Sequence, residues 1–219
     1  MNSLKSISNI RVKKINMSTT KNITPLPSLF RSTLLTISGV IGDKAFQNGN
    51  YVSSSSSNYD ANFQSYLAYN GSVSTGRGDA WVSGNGSYSI STGQCIKTTV
   101  TTLTDGTTVK GEWLGLNIPN PLIITNYSIL VRNVDMVSLN KNTGPTSWSI
   151  VGSNTGIDGS WVQLDRQIVP SSSWHLKTIL TVFSLTPVPT IAYSYYRIII
   201  LIAGTQYSYV GIKQFNLMI

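Results

Sequence analysis

Apolar and polar positions alternate most clearly in the middle of the chain. Leu114, Leu116 and Ile118 alternate with Trp113, Gly115 and Asn117, the period of two that a half-buried strand needs. Pro119-Asn120-Pro121 then predicts the end of that strand. Trp148, Ile150 and Gly152 alternate in the same way with Ser147, Ser149 and Val151. Gly152 to Gly159 supplies the Gly, Ser, Asn and Asp of a tight connection, and Trp161-Val162-Gln163-Leu164 begins the returning strand. With Ile123 to Ile129 between them, residues 111–167 read as four short strands separated by turns.

The rest of the chain repeats this grammar. Tyr51-Val52 is β-prone, whereas Ser53 to Asn58 reads as a low-complexity loop. Residues 61–69 contain a helical turn, and glycines from Gly71 to Gly93 mark loops. Thr98 to Thr104, Asp105-Gly106 and Thr107 to Lys110 form a hairpin pattern that leads into the Trp113 strand, so that Cys95 to Ile118 reads as one hairpin. Ile129 to Arg132 alternates weakly into Val134 and Met136. In Ser171 to Leu185 the spacing of Leu176, Ile179, Val182 and Leu185 suits a helix, while Thr178, Thr181, Val182 and Phe183 favour a strand. Pro187-Val188-Pro189 is a break, Tyr193 to Leu201 a buried strand, and Tyr207 to Met218 contains the last one. Strands recurring roughly every 8–15 residues, without a long helix, argue for a β-sandwich.

The first forty-odd residues differ in character. Met1 to Lys21 is polar and basic, and Met17 is an alternative start. Residues 1–32 hold Lys5, Arg11, Lys13, Lys14, Lys21 and Arg31 and no acid, so most of the net charge of +8 resides there and the body is almost neutral. Leu29, Phe30, Leu34 and Leu35 need burial, which points to an extended arm that inserts into a neighbouring subunit. The division is therefore an arm over 1–42 and one domain over 43–219. Such an arm can meet nucleic acid, an anionic membrane or an acidic protein. It lacks the charge density and interleaved aromatics of a strong polyanion binder, so nucleic acid is not the favoured partner. The first 20 residues contain no apolar run long enough for a signal peptide. Ile198 to Ala203 is about a third of a membrane span, so no transmembrane segment is expected.

At 41% apolar the 219 residues can bury a core, but only 11% are charged, about half the usual share. Ser, Thr, Asn, Gly and Tyr must supply the surface. Cys95 is the sole cysteine, which excludes an internal disulfide and fits a reducing compartment or a small buried residue. His175 is the sole histidine; one of each rules out a metal site built on His and Cys clusters. It follows Ser171-Ser172-Ser173-Trp174, which carries no hydrolase signature, and reads as a loop histidine. Glu112, the only glutamate, reads as a solvated charge at a strand entry rather than half of a catalytic carboxylate pair. Gly76-Arg77-Gly78 is too short for a phosphate loop. The chain is therefore expected to be no enzyme and to use no cofactor.

The stretch Gly111-Glu112-Trp113-Leu114-Gly115-Leu116-Asn117-Ile118-Pro119, the Tyr127-Ser128-Ile129 segment and the run from Pro145 through Trp148, Gly152-Ser153-Asn154 and Gly159 to Trp161 and Leu164 together resemble the discoidin or coagulation-factor C-type domain. Ala68-Tyr69-Asn70-Gly71 with Trp81, Tyr195-Tyr196-Arg197-Ile198-Ile199-Ile200 and Ile212 to Leu217 extend the resemblance over about Gly49 to Ile219. It implies an all-β fold, an antiparallel galactose-binding-like jelly roll preceded by the arm, and a loop and strand over Ser171 to Leu185. The Ser-rich opening Asn48 to Ser56 looks like that of domains carried by large double-stranded DNA viruses. Two departures matter. The disulfide usual in vertebrate members cannot form, and the positions that would offer acidic calcium ligands look like Asn70 and Gln214, both neutral, so no metal is expected.

The same resemblance implies ligand loops at one end of the sandwich. Sugar binding needs an aromatic face and planar polar groups, and Tyr59, Arg77, Trp81, Trp174 and His175 fall in predicted loops. Trp148 and Trp161 read as core, Trp81 more as core than as ligand contact, and Trp113 as core or sheet edge. The reading favoured by these features is a structural protein, a minor capsid or surface component of a virion assembled in the host cytoplasm. Its arm would tether it to other capsid or virion proteins or to further copies of itself. The alternative is a lectin-like, carbohydrate-binding module that attaches to glycans. An exposed platform at Trp81 or Trp174 favours the alternative, and burial of all five tryptophans argues against it. A third option, an arm-mediated contact with nucleic acid or membrane, would weaken steeply with salt.

Overall fold

The computed structural model describes residues 34–35, 45–48, 51–71, 78–132, 143–174 and 180–219. Thirteen strands are defined among them. They are β1 (Leu34–Leu35), β2 (Ala45–Asn48), β3 (Tyr51–Ser55), β4 (Trp81–Val82), β5 (Val100–Thr102), β6 (Thr108–Lys110), β7 (Glu112–Leu122), β8 (Asn126–Val131), β9 (Pro145–Ser153), β10 (Val162–Ile168), β11 (Thr181–Ser184), β12 (Tyr193–Ala203) and β13 (Gly211–Met218). Among the described residues one sheet has seven strands in the order β1-β2-β3-β7-β12-β9-β10, and a second has four in the order β11-β8-β13-β4. β5 and β6 form a separate hairpin. Every pairing within the sheets is antiparallel.

The period-two pattern decides which side chains enter the space between the sheets. Leu114, Leu116 and Ile118 of β7, Trp148 and Ile150 of β9, and Tyr196, Ile198 and Ile200 of β12 meet Tyr127, Ile129 and Val131 of β8 and Phe215 and Leu217 of β13. All are buried, each contributing roughly 1.5–3 kcal/mol of apolar transfer. The alternate residues Trp113, Val151 and Ile199 point the other way. They form a smaller cluster with Leu103, Val109 and Trp161 on the outer face of the seven-stranded sheet, where the β5–β6 hairpin covers them. A polar chain runs between the two sheets. The Trp148 indole donates to the Tyr127 hydroxyl at 2.9 Å, which donates to Asp165 Oδ2 of β10 at 2.6 Å.

Several local expectations are corrected. Pro119 and Pro121 do not end β7, which runs on to Leu122. β3 pairs with β7 only up to Asn117, and the register with β12 slips between Asn117 and Leu122, so missing amide hydrogens cost nothing there. The serine run is no simple loop: Ser53 and Ser55 belong to β3 and are buried. Ser53 Oγ lies 3.1 Å from Ser65 Oγ, in the 3₁₀ helix Ser65–Tyr69 that answers to the helical turn over 61–69. The hairpin is confined to Val100–Lys110, with Gly106 at φ +82° in its turn. Gly111 ends it because a side chain there would meet the Ile200 carbonyl oxygen at 2.2 Å. Ser171–Trp174 is a 3₁₀ helix and β11 a short strand, so the ambiguous segment is partly each. Leu34 and Leu35 pair with Phe46 and Ala45 of the same chain, extending the sheet from within the segment read as an arm. Leu29, Phe30, Val134 and Met136 lie outside the described residues.

Two predictions follow from the inter-sheet chain and its tyrosines. Tyr127→Phe strands a buried indole N–H and removes the donor to Asp165, and should lower unfolding free energy by about 2–3 kcal/mol in a urea titration. Burial raises the phenols of Tyr69 and Tyr88. It also raises Tyr127, with the hydrogen bond to Asp165 adding to the effect, and pushes Tyr196 up to about 12. A phenol whose folded value is raised holds its proton longer than in the unfolded chain. Its stabilisation is therefore complete below the unfolded value of about 10 and is lost as pH rises beyond it. The fold should lose stability above about pH 10, with the tyrosinate absorbance of these buried residues appearing together with unfolding rather than before it.

Candidate functional site

Glu112, at the entry of β7, is not solvated: it is 1% exposed. Ser56 Oγ and Ser57 Oγ each donate to its Oε2 at 2.5 Å, and Ser87 Oγ donates to Oε1 at 3.1 Å. A buried carboxylate demands such donors, and the serine run after β3 supplies them. This cradle fixes two loops, 56–63 and 83–88, at one end of the sandwich. Ser57 Oγ also accepts from the Gly84 amide at 2.8 Å, and the Ser56 hydroxyl accepts from the Trp113 amide at 2.8 Å. The loop 204–210 is latched alongside. Ser208 Oγ donates to Asn85 Oδ1 at 2.8 Å, and the Ser208 carbonyl accepts from the Tyr88 amide at 2.9 Å.

On this rigid base sits a group of aromatic rings. Tyr59 is 41% exposed, and its amide donates to the Val82 carbonyl at 2.8 Å. Its ring meets Tyr209 edge-on at 5.3 Å and Phe63 at 5.8 Å. Tyr207 leans on Tyr209 at 5.1 Å. The Arg132 guanidinium lies 4.5 Å over Phe63. Burial raises the Tyr209 phenol, and the nearby Arg132 charge partly offsets this. The result is a surface of tyrosine rings with hydroxyl and amide groups at its margin, backed by the buried Arg132 guanidinium.

The structure sorts the residues singled out by sequence. Tyr59 is exposed at this loop end. Trp81 lies buried beneath it, its indole donating to the Ser57 carbonyl at 3.0 Å; it supports the loop and is no platform. Trp174 is also buried. Its ring packs 5.9 Å from Trp148 and its N–H donates to the Pro145 carbonyl at 2.8 Å, away from the tyrosine group. Both fell in predicted loops as candidate ligand residues, Trp81 with core as its favoured reading, and both are core because their indoles find backbone acceptors inside. Trp113, Trp148 and Trp161 are buried too, so no tryptophan offers a platform. Arg77 and His175 lie outside the described residues. Tyr207 and Tyr209 were missed; the available signal was the Tyr-Ser-Tyr alternation in a turn-rich connection between two apolar strands.

At the position of the expected neutral replacements, Asn70 Nδ2 donates to Asp79 Oδ1 at 2.5 Å. Burial lowers the Lys213 ammonium, and the Asp79 charge acts against that shift. Among the described residues no group of three or more His, Cys, Asp or Glu is arranged to hold a metal, and no helix is long and apolar enough to cross a membrane.

No family model and no curated protein matches the chain. Solved structures do. The family 32 carbohydrate-binding module from Clostridium perfringens NanJ, in complex with galactose, superposes with a TM-score of 0.51 at 12% identity, covering 81% of this chain and 99% of that one. An F5/8 type C domain from Bacteroides fragilis gives 0.51 at 17% identity, covering 82% and 97%. A second Clostridium perfringens family 32 module, in complex with GalNAc-β-1,3-galactose, gives 0.51 at 12% identity, covering 78% and 96%. At these identities the likeness shows the fold: a galactose-binding-like sandwich of the discoidin and family 32 shape.

The Glu112 cradle makes a direct prediction. Glu112→Ala orphans three serine hydroxyls and should cost about 3 kcal/mol in chemical denaturation, whereas Glu112→Gln, which retains an acceptor oxygen, should cost about half as much.

Proposed function

We propose that this chain is a non-catalytic glycan-binding module whose site is the tyrosine surface at the loop end. The observation that carries the reading is the grouping of Tyr59, Tyr207 and Tyr209 on loops held rigid by the Glu112 cradle. A pyranose ring presents a C–H face that stacks on an aromatic ring, and its hydroxyls seek planar polar partners. Asn85 and Ser208 provide such groups close by. Rigid loops also reduce the ordering cost of binding. The galactose and GalNAc-β-1,3-galactose complexes of the two Clostridium perfringens modules support the reading by analogy of fold, and make neutral galactose-type glycans the first ligands to try.

This reverses the order in which the sequence ranked its readings. Burial of all five tryptophans removes the platform first considered, and tyrosines take its place. The structural reading leaned on the basic arm and on the viral flavour of the resemblance. Leu29 and Phe30 of that arm lie outside the described residues, and no feature of the sandwich favours a capsid partner over a ligand.

A glycan array probed with the full chain tests the proposal. Selective binding is expected, and Tyr59→Ala and Tyr207→Ala should each weaken it about tenfold, or ~1.4 kcal/mol, while the melting temperature is nearly unchanged. An array without selective signal, or binding indifferent to both substitutions, would overturn the assignment.

A further inference from the structure

The outer face of the seven-stranded sheet carries a second concavity, independent of the loop end. Register places Ser54, Gly115, Arg197 and Val151 directly opposite one another on β3, β7, β12 and β9, so all four belong to the same face. Val52, Asn117, Tyr195 and Ser153 form the next row in the same way. The preceding row of this face, Trp113 and Ile199, is covered by the β5–β6 hairpin. Gly115 puts a gap in its row, because a side chain there would crowd Arg197 Cγ at 3.2 Å and Ser54 Oγ at 3.4 Å. The β9–β10 connection forms a wall. Gly156, at φ +72°, lies against the Tyr195 ring, where an added Cβ would approach to 2.9 Å, and Ile157 stands at the rim, 68% exposed. The enclosed volume is about 310 Å³, at the small end of the ~300–1,000 Å³ typical of ligand sites.

The chemistry of this groove is specific. Arg197 is its only charged lining residue. Its guanidinium is held 3.8 Å from the Trp113 ring centre and 4.1 Å from that of Trp161. A guanidinium laid on indoles is fixed in orientation and donates through its edge, the geometry that takes the two oxygens of a carboxylate. A single cation suits a single negative charge. Tyr195 and Ile157 give apolar surface for a C–H face, and Asn117, Ser54 and Thr155 give partners for hydroxyls. Trp161, also lining the groove, is 1% exposed, and its indole N–H has no hydrogen-bond partner among the described residues. Leaving a buried donor unpaired is costly, so an acceptor reaching it would be favoured.

We propose that this groove is a binding site for a carboxylate-bearing sugar of about one ring, a hexuronic acid residue, with Arg197 taking the carboxylate and Tyr195 and Ile157 the ring. The site does not rest on the loop-end assignment.

Titration of the full chain with sodium D-galacturonate, D-galactose and acetate, followed by NMR of the indole N–H signals, tests it. The Trp161 signal should move with galacturonate, with a Kd of roughly 1 mM or tighter. Galactose, lacking the charge, and acetate, lacking the ring, should each bind at least ~10-fold more weakly. Ser54→Leu fills the floor from a strand position without touching the indoles, and should abolish the shift. Ile157→Asp, at an exposed rim position, should weaken galacturonate ~10-fold or more by repulsion and leave the melting temperature unchanged. Tyr59→Ala, at the loop end, should have no effect. A Trp161 signal that stays static with galacturonate, that moves with equal affinity for galactose or acetate, or that still moves in Ser54→Leu would each overturn the proposal.

Discussion

A single buried carboxylate organises the loop end. Glu112 opens β7, the strand flanked by β3 and β12 near the centre of the larger sheet, and it is neutralised by no cation in the contacts described. Three serine hydroxyls solvate it instead. Withdrawn from water, an anion accepts only a narrow set of donor positions, so the two loops that carry those serines have little freedom. Tyr59 inherits its position from this arrangement, and through Asn85, Ser208 and Tyr88 the same constraint reaches the loop of Tyr207 and Tyr209. The composition then makes physical sense. A chain with few charges places one where it cannot be solvated and uses its abundant serines to hold it.

Much of the architecture was legible because a strand writes its two faces directly into sequence. The alternation through β7 and β9 marked the inner residues, the apolar run Tyr193 to Leu201 marked a buried strand, and Asp105-Gly106 marked the hairpin turn. What was not legible were long-range balances. Pro119 and Pro121 look like breakers until it is known that β3 has already ended opposite Asn117. Ser53 and Ser55 look like loop residues until Ser65 is seen behind one of them. The solvated reading of Glu112 was wrong for the same reason, since its donors lie far away in sequence. In the candidate site, Tyr59 could be picked from turn chemistry. Trp81 and Trp174 could not be separated from surface aromatics, because only the fold reveals that the Ser57 and Pro145 carbonyls are waiting for their indoles.

The two faces of the larger sheet use alternation to different ends. Inward residues are continuous and apolar, closing against β8 and β13, and the Trp148–Tyr127–Asp165 chain pins one sheet to the other. Outward residues are heterogeneous. A patch of Trp113, Val151, Ile199 and Trp161 is capped by the hairpin, and beside it the row of Ser54, Gly115 and Arg197 is left low. One strand therefore contributes hydrophobic packing on one side and recognition chemistry on the other, and a substitution that alters either must respect both.

The strand order has a consequence for how the molecule is made. β7 finds its partner in β12, where Trp113 lies opposite Ile199, and the four strands between them in sequence must be set elsewhere, β8 and β11 in the facing sheet and β9 and β10 on the far side of β12. Closure of so long a loop precedes the gain from the central pairing. During synthesis the apolar edge of β7 must wait, unpaired on that side, until β12 has emerged. Its glycines, prolines and flanking polar residues are well suited to keep that waiting strand from pairing with another chain.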